Sequence, residues 1–424
     1  MVHEVGQTIE VVAHEVDRFG QGVSRLDELV VFTHGLLKDE KALVTITKIK
    51  QKFIESKIKK ILIQSPLRKT MPSQLGSLDL YHLNDESQND WQYQITQTTL
   101  ERNIGYNGPI EPVIASSKTL NYRNKVVYHV LNNPLMRLGL FTKEPIELRE
   151  VHTFILNSLA IQRCISKIQQ QSIIVDPEVF KHIVLRSNEK DEVLVTLVAY
   201  QENFVGLNEL VSLIKNFKEV VGITLNIKPN EKTILGKQSI LLYGKNEINF
   251  NLGHLKLKLN DRSFMQVNSD VMLKTYDMIA KSVKFDTVVD CYSGIGSIGY
   301  YIGSQVKKVI MIENNHENVS MAKDIKMFHK GNYEIFLGNV ETILPKLKSE
   351  VVIFDPPRTG LHPSLLEMIK EKKFYQIIYL SCELNTLVRD LKSLTEHYQI
   401  SKVYPVRMFP QTTSIETLVV LDLK

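Results

Sequence analysis

The chain has 424 residues, of which 43% are hydrophobic and 23% are charged. Both fractions are near the globular average, so they exclude a disordered or collagen-like chain, and the length predicts two or three domains. Lysine and arginine number 52 against 47 aspartates and glutamates, a mild basic excess that indicates a nucleic-acid partner only where the charge is clustered. Three scattered cysteines, Cys164, Cys291 and Cys382, exclude a disulfide scaffold and a tetrathiolate metal site.

The cellular compartment is predicted from the absence of targeting and membrane-spanning segments in the sequence. The N-terminus has no basic segment followed by an apolar core, so we expect no signal peptide. No apolar run approaches about 18 residues, so we expect no transmembrane helix and no membrane partner. Few cysteines and no export signal together predict a reduced, cytoplasmic protein.

Residues 1–63 are predicted to form a small β-barrel, because short β-branched segments alternate with turns and helical periodicity is absent. The two glycines of Arg18-Phe-Gly-Gln-Gly-Val mark a tight loop. Between Lys48 and Lys69 there are eight basic residues and a single acid, Glu55. A barrel that ends in a basic strand is typical of a module that contacts phosphates, although a solvated strand face has the same composition.

Residues 64–260 are predicted to form a central α+β domain. The polar stretch from 66 to about 95 is rich in turn residues and indicates a linker or an exposed excursion. A helix is expected from Tyr93 to about Tyr106, and beyond residue 118 strands and helices are mixed without an internal repeat.

Residues 261–424 show a different pattern. From about residue 284, apolar strands alternate with helical stretches of roughly 10 to 15 residues, which is the signature of a doubly wound parallel sheet. We therefore predict an α/β fold in which a C-terminal Rossmann-like domain follows the barrel and the central domain.

A glycine-rich turn follows the first strand of this region. The strand ends in Asp290, the turn runs from Gly294 to Gly299, and the next strand ends in Glu313. Glycines let the backbone approach a nucleotide-like ligand, and a carboxylate after the second strand reaches a ribose diol. The pattern fits NAD, FAD or S-adenosylmethionine, with a purely structural turn as the alternative. An acid at the end of the first strand favours a neutral or cationic methyl donor over a pyrophosphate.

A later strand ends in Asp355-Pro-Pro-Arg358. The prolines lack an N–H group, so the chain must leave the sheet in a stiff, extended turn that holds Asp355 at the carboxyl edge, where open α/β sheets bind ligands. An arginine in place of the aromatic residue that follows the prolines in amino-group methyltransferases argues against that reaction. A rigid strand exit without chemistry is the alternative.

Cys382 and Glu416 are candidates for covalent and acid–base chemistry. Cys382 follows an apolar strand where a helix is expected to begin, and a helix N-terminus favours the thiolate, so we predict a lowered thiol pKa and a nucleophile. Cys164 and Cys291 are predicted to be packing residues. Glu416 directly precedes the last strand, where a carboxylate can act as a base, although a surface glutamate would have the same pattern.

These motifs, in this order, resemble those of the S-adenosylmethionine-dependent RNA 5-methyluridine methyltransferases, in particular the TRAM-containing 23S ribosomal RNA (uracil-C5)-methyltransferases. The resemblance covers nearly the whole chain. Residues 1–63 resemble the TRAM barrel, and two further segments match the family, Phe264-Met-Gln266-Val-Asn268 and Phe409-Pro-x-Thr412-x-x-Ile-Glu416.

The resemblance implies a role for each matching residue. Cys382 would be the nucleophile, Glu416 the base, and Phe264 a stacking partner of the flipped uracil. The residues implied to contact the S-adenosylmethionine cofactor are Gln266, Tyr292, Glu313, Asn339 and Asp355. It also implies an RNA-binding central domain and an RNA substrate, ribosomal RNA in the first place and transfer RNA as the alternative. We expect no metal and a monomer.

The implied chemistry explains the residue types. Attack of the Cys382 thiolate on C6 makes C5 of the uracil carbanion-like, so that C5 can take up a methyl group. Glu416 then removes the remaining C5 proton, and elimination releases Cys382. The base must leave its stack to reach the thiol, which fits a loop or a splayed strand of RNA.

The sequence departs from the family pattern in two places. Residues 68–78 contain no cysteine where many ribosomal RNA members carry four, so we predict no iron–sulfur cluster. Ser414 stands where a histidine commonly precedes the base, which affects the orientation of Glu416. Residues 90–117 are expected to pack with the catalytic domain, as preceding helices do in this family.

Three other functions compete with this interpretation. A non-catalytic RNA-binding or ribosome-assembly factor on the same scaffold would tolerate the loss of Cys382, Asp355 and Glu416. A cytosine C5 methyltransferase would place Pro-Cys where this chain has Asp-Pro-Pro. An NAD enzyme would leave Cys382 and the Asp-Pro-Pro turn without a purpose.

Overall fold

The computed structural model describes residues 3–71, 75–142 and 146–424. These residues form a six-stranded sheet, two seven-stranded sheets and a two-stranded hairpin. The predicted mixed α/β class, with an N-terminal barrel, a central α+β part and a C-terminal Rossmann-like sheet, is confirmed. Within the cysteine-free segment 68–78, residues 72–74 lie outside the described part of the chain.

The barrel is a single six-stranded sheet in the order β1-β5-β6-β4-β3-β2, curled so that β1 also contacts β3. Alternating side chains such as Ile9, Val44 and Ile54 form its small aliphatic core. The lysines Lys57 and Lys59 of the longest strand are exposed, as a phosphate-contacting strand requires. The strands are β1 (Thr8–Val12), β2 (Glu15–Val16), β3 (Gln21–Leu26), β4 (Leu29–His34), β5 (Lys41–Ile49) and β6 (Phe53–Ile63).

After a short 3-10 turn at Gly76–Leu78, helix α1 spans Asp85–Ile104. It begins eight residues before the predicted start, inside the stretch that the sequence indicated as a linker. The reason is local, because the side chain of Asn84 accepts a hydrogen bond from the Ser87 N–H at 2.8 Å and caps the helix. Acidic side chains in the first turn also suit the helix dipole, so polar residues that resemble a linker here build a helix N-terminus.

The central part is a seven-stranded sheet in the order β13-β12-β11-β10-β7-β8-β9. Helices α2 and α3 cover one face, and their buried residues, Cys164 among them, share one hydrophobic core with that face. The elements are β7 (Lys125–Val130), β8 (Leu138–Phe141), β9 (Leu148–Glu150), α2 (Leu159–Gln169), β10 (Phe180–Ser187), β11 (Val193–Ala199), α3 (Leu207–Ile214), β12 (Val220–Ile227) and β13 (Gln238–Gly244).

The hairpin of β14 (Ile248–Leu252) and β15 (Leu255–Leu259) follows and does not join the central sheet. The remaining elements are α4 (Ser269–Ser282), β16 (Thr287–Cys291), α5 (Ser297–Ile302), β17 (Lys308–Glu313), α6 (His316–Lys326), β18 (Tyr333–Leu337), α7 (Val340–Ile343), β19 (Val351–Phe354), α8 (Pro363–Lys372), β20 (Gln376–Ser381), α9 (Leu384–Leu394), β21 (Tyr398–Val406) and β22 (Glu416–Leu423), with a 3-10 turn at Leu344–Lys346.

The C-terminal sheet has the strand order β18-β17-β16-β19-β20-β22-β21. The first five strands are parallel, whereas β22 is antiparallel to both of its neighbours. The sequence did not predict β21, an edge strand that contains Pro405, because proline lacks the N–H that a central strand needs. The chain order reverses between β16 and β19, and such a switch point is where doubly wound sheets bind ligands.

Packing assigns two flanking segments to this sheet. Helix α1 contacts α9 and β21, and strand β15 contacts α5 and α6. The buried leucines of the hairpin therefore belong to the same core as the sheet. We propose that the boundary between the central and C-terminal domains lies before residue 248 rather than at 260, and that α1 belongs to the C-terminal unit. Among the described helices, none combines the length and apolarity needed to cross a bilayer.

Candidate active site

The glycine-rich turn lies at the switch point. Gly294 adopts a positive φ of 55°, and a Cβ there would meet no atom within 4 Å, so the turn borders open space. Its N–H donates to Glu313 Oε2 at 2.9 Å, and the Asn315 N–H donates to Glu313 Oε1 at 2.7 Å. The carboxylate at the end of the second strand is thus held beside the turn that follows the first.

Tyr292 and Asn339 lie around the same turn. The Tyr292 hydroxyl donates to Glu341 Oε1 at 3.2 Å, and the Asn314 amide donates to Asn339 Oδ1 at 3.4 Å. Because β16, β17 and β18 are parallel neighbours, the residues that follow them share one edge of the sheet.

Asp290 is hydrogen-bonded to the last glycine of the glycine-rich turn. Its carboxylate is fully buried and accepts a hydrogen bond from the Gly299 N–H at 2.9 Å, while its second oxygen has no partner among the described residues. Burial raises the pKa of Asp290 to about 8, with Asp355 and Glu313 adding to the effect.

Asp355 lies on the other side of the switch point, where its N–H donates to the Cys291 carbonyl at 3.5 Å. Desolvation in the cleft raises the pKa of Asp355 to about 7. Four carboxyl groups therefore meet at this edge, those of Asp290, Glu313, Asp355 and Glu416. A cationic ligand such as a sulfonium would favour the ionised form of the buried acids, whereas a pyrophosphate would oppose it.

Gln266 and Phe264 precede helix α4. The Gln266 carbonyl accepts from the Asn124 amide at 3.2 Å, and the Phe264 ring is 66% exposed. The segment is tied to the catalytic edge by Asn268, whose amide donates to the Met408 carbonyl at 3.2 Å. This tie holds both predicted residues near the last motif. Among the described residues, no hydrogen bond joins Gln266 to the other cofactor candidates.

Cys382 is half-buried directly after β20. The prediction that a helix N-terminus lowers its pKa is wrong. Burial raises the pKa of the thiol, and the carboxylates of Glu416 and Asp355 add to this, against a smaller opposing effect of Arg358. Helix α9 begins two residues later, and its N-terminus is already capped by the Glu383 side chain, which accepts from the Asn385 N–H at 3.3 Å.

Glu416 opens strand β22 and is 3% exposed. Its Oε2 has no hydrogen-bond partner among the described residues. Burial and the nearby Asp355 raise the pKa of Glu416 well above its usual range. A buried, unpaired carboxyl beside a thiol is the arrangement expected of a group that exchanges a proton with substrate.

A cavity of about 170 Å³ contains Cys382. Its wall comes from the Asp355-Pro-Pro-Arg358 turn, the start of α9, the last motif and one loop of the barrel. The lining residues are Arg18, Phe19, Arg358, Cys382, Glu383, Leu384, Thr413, Ser414 and Ile415. Ser414 therefore faces this cavity in the position where the family commonly has histidine.

Helix α1 supplies polar residues that the sequence analysis did not identify. The Gln92 amide donates to the Val406 carbonyl at 2.8 Å and to the Glu416 carbonyl at 3.3 Å. Gln88 and Arg407, both buried, link the same helix to the chain before the last motif. Buried amides four residues apart on one helix face were the available signal. The remaining cysteines, Cys164 and Cys291, are fully buried, which confirms their packing role.

Comparison with known proteins agrees with this geometry. Residues 2–59 match the model of the TRAM domain, and residues 335–424 match that of tRNA (uracil-5-)-methyltransferases. An RNA methyltransferase of Lactobacillus johnsonii is 30% identical over 98% of each chain, and one of Enterococcus faecalis is 30% identical over 97% of this chain and 96% of its own.

A solved structure gives the same fold. The tRNA (uracil-54, C5)-methyltransferase of Pyrococcus abyssi, in complex with S-adenosyl-L-homocysteine, superposes with a TM-score of 0.79 at 21% identity, over 97% of this chain and 100% of its own. The alignment with the 30% identical relative covers nearly all of both proteins, and the two family models match the N-terminal and C-terminal parts of this chain. The chain therefore belongs to the S-adenosylmethionine-dependent RNA (uracil-5)-methyltransferases and is an RNA (uracil-C5)-methyltransferase.

Proposed function

We propose that the enzyme methylates a uridine of 23S ribosomal RNA, with Cys382 as the nucleophile and Glu416 as the base. The observation that carries the assignment of these roles is the meeting of three groups at the ends of neighbouring strands. Burial raises the pKa of all three groups, Asp355 adds to the shift of Glu416, and both carboxyls add to the shift of the Cys382 thiol. Each of these buried ionisable groups lowers the folding stability, so their presence at one place indicates a chemical role.

We propose that the cofactor binds at the same edge of the sheet, beside the glycine-rich turn. Tyr292, Glu313 and Asn339 surround the open space at Gly294, and Asp355 closes the switch point, so the residues present fit S-adenosylmethionine. We assign Gln266 to the same group, because its segment is anchored to the last motif through Asn268. When bound, the cofactor supplies an electrophilic methyl group to C5 of the uracil.

The side chains of this site divide the remaining work. Cys382 reacts through its thiolate fraction, which the raised pKa of the thiol keeps small. The thiolate forms a bond to C6, and the C5–C6 π electrons move to the O4 side as an enolate, which makes C5 nucleophilic. After C5 is methylated, the Glu416 carboxylate accepts the C5 proton, the C5–C6 double bond re-forms and the bond to Cys382 breaks. Burial of both groups keeps water from competing for the enolate.

The substrate assignment is supported by the barrel. Its basic strand β6 exposes lysines along one side, and such a strand can hold phosphates of a large, folded RNA at a distance from the cavity. A transfer RNA substrate is the second candidate, because the Pyrococcus abyssi transfer RNA enzyme shares the fold along nearly the whole chain.

The test is to map 5-methyluridine in ribosomal and transfer RNA from cells with and without the gene, and to complement the deletion with Cys382→Ala. We expect one ribosomal 5-methyluridine to disappear and to return only with the unaltered gene. Loss confined to transfer RNA would keep the mechanism and replace the substrate, whereas full rescue by Cys382→Ala would overturn the assigned nucleophile.

A further inference from the structure

One loop of the barrel reaches the catalytic cavity. The loop joins β2 to β3, and both Arg18 and Phe19 line the space that contains Cys382. The Arg18 guanidinium donates to Glu383 Oε1 at 2.9 Å and to Asn385 Oδ1 at 2.5 Å. The barrel is therefore bonded to the residue that follows Cys382 and caps helix α9.

The loop is held at two further points. The Trp91 indole of α1 donates to the Asp17 carbonyl at 3.1 Å. Gly20 has a φ of 76°, and a Cβ at this position would lie 2.9 Å from the Thr413 side chain, so only glycine permits this approach to the last motif. Inside the loop, the Asp17 carboxylate accepts from the N–H groups of Phe19 and Gln21. These contacts are all made within the protein, so they hold the loop in place without RNA.

This loop presents the aromatic ring of Phe19 to solvent. Phe19 is 53% exposed, and its ring lies 4.9 Å from the guanidinium of Arg18. The exposed side of the Phe19 ring packs against no other part of the described chain, while polar contacts hold its loop in place. Its position at the rim of the Cys382 cavity, beside Arg18 and Arg358, gives it the surroundings of a nucleotide-binding platform.

We propose that Phe19 is a substrate-binding residue of the methyl-transfer site, on whose ring the base of a nucleotide next to the target uridine stacks. The proposal rests on the proposed role of Cys382. A cavity of about 170 Å³ admits a single base, so the neighbouring nucleotides of the flipped uridine remain at the rim. Stacking there holds the strand while the target is extruded, and Arg358, which also lines the cavity, offers positive charge to its phosphates, whereas Arg18 is paired with Glu383.

The test measures methyl transfer to total RNA from cells that lack the gene. Phe19→Ala should raise the KM for RNA roughly tenfold, which corresponds to the loss of one stacked base, and leave kcat within about twofold. Phe19→Trp should restore the KM, because indole provides an equal or larger stacking surface. Phe328→Ala removes another half-exposed phenylalanine, far along the chain on the C-terminal domain, and should change neither constant.

A second measurement locates the contact. A photoreactive p-benzoylphenylalanine in place of Phe19 should crosslink to the nucleotide on one side of the methylated uridine. Crosslinking to the uridine itself or to a distant nucleotide would overturn the proposal, as would an unchanged KM for Phe19→Ala. If the unaltered enzyme methylates no RNA, the proposed function fails as well; methylation that is insensitive to Phe19 overturns only this inference.

Discussion

Two buried glutamates in different regions of the molecule have opposite surroundings. Glu40 lies where the barrel meets the rest of the chain, and both of its oxygens are occupied. Arg68 donates to both oxygens at 2.6 Å, and the N–H groups of Leu37 and Ser65 complete the set. Glu416, at the catalytic edge, keeps one oxygen without a partner among the described residues.

The difference shows in the two pKa values. Burial by itself would raise the pKa of Glu40, but the Arg68 guanidinium and the backbone donors outweigh it and hold the pKa below its usual value. For Glu416, burial meets no such compensation, and the pKa rises. A buried carboxylate with a full set of donors serves the structure, whereas one without them is kept ready to exchange a proton.

The largest effect is expected from removing the Cys382 thiol. Cys382→Ala removes the proposed nucleophile, so methyl transfer should fall on the order of 10⁴-fold or more. The denaturation-resistant adduct with 5-fluorouridine RNA should also disappear on a gel. Cys164→Ala, in the central core, is the matched control and should keep the adduct. Persistence of the adduct in Cys382→Ala would contradict the role of this thiol.

Glu416→Gln changes one atom of the unpaired carboxyl. We expect turnover to fall roughly 10²- to 10⁴-fold, because the C5 proton has no acceptor, while stability is unchanged or higher since an uncompensated acid has been removed. With an unmodified RNA substrate, the methylated covalent adduct should accumulate and be visible by mass spectrometry. Normal turnover without accumulation would assign the proton to another base.

Arg68→Met breaks the compensated site and leaves Glu40 buried without its cation. The free energy of unfolding should fall by about 3–5 kcal/mol, because one partner of a buried pair is removed. Fluorescence of Trp91, the single tryptophan, reports on this region through its bond to the Asp17 carbonyl.

The double variant Glu40→Gln with Arg68→Met tests whether the lost stability comes from the stranded charge. It should recover part of the loss, as expected for residues that interact directly. A fall of less than about 1 kcal/mol in the single variant would show that Glu40 is satisfied without Arg68.

The smallest expected effect, taken per pH unit, is on the pH dependence of stability. The lowered pKa of Glu40 gives stability that is present above about 4.5 and is lost as pH falls through the folded-state value. Asp290 has the opposite sign, because its pKa is raised from 3.8 to about 8, so it lowers stability as pH rises across that interval. Asp290→Asn should flatten this decrease by at most about 1.4 kcal/mol per pH unit in urea titrations. An unchanged slope would mean that Asp290 is ionised throughout.

Much of the fold was predictable because its signals are local. Alternating strands and helices after residue 284 predicted the doubly wound sheet, and the glycine turn and the Asp355 prolines follow the ends of two of its neighbouring strands, β16 and β19. Helix α1 was partly misassigned, because a capping asparagine and acidic first turn have the same composition as a linker. Strand β21 was missed because an edge strand tolerates residues that disfavour central strands.

By itself, the sequence determined which residue types stand at the ends of the strands, because strand ends and turns depend on neighbours a few positions away. Only the tertiary structure decided their chemical state. The raised pKa of Cys382 depends first on burial and then on carboxyl groups from two other strand ends. The cavity around it is completed by Arg18, which lies 365 residues from its partner Glu383. Burial and charge pairing act through space, and the distances that govern them exist only after the barrel, helix α1 and the sheet have packed together.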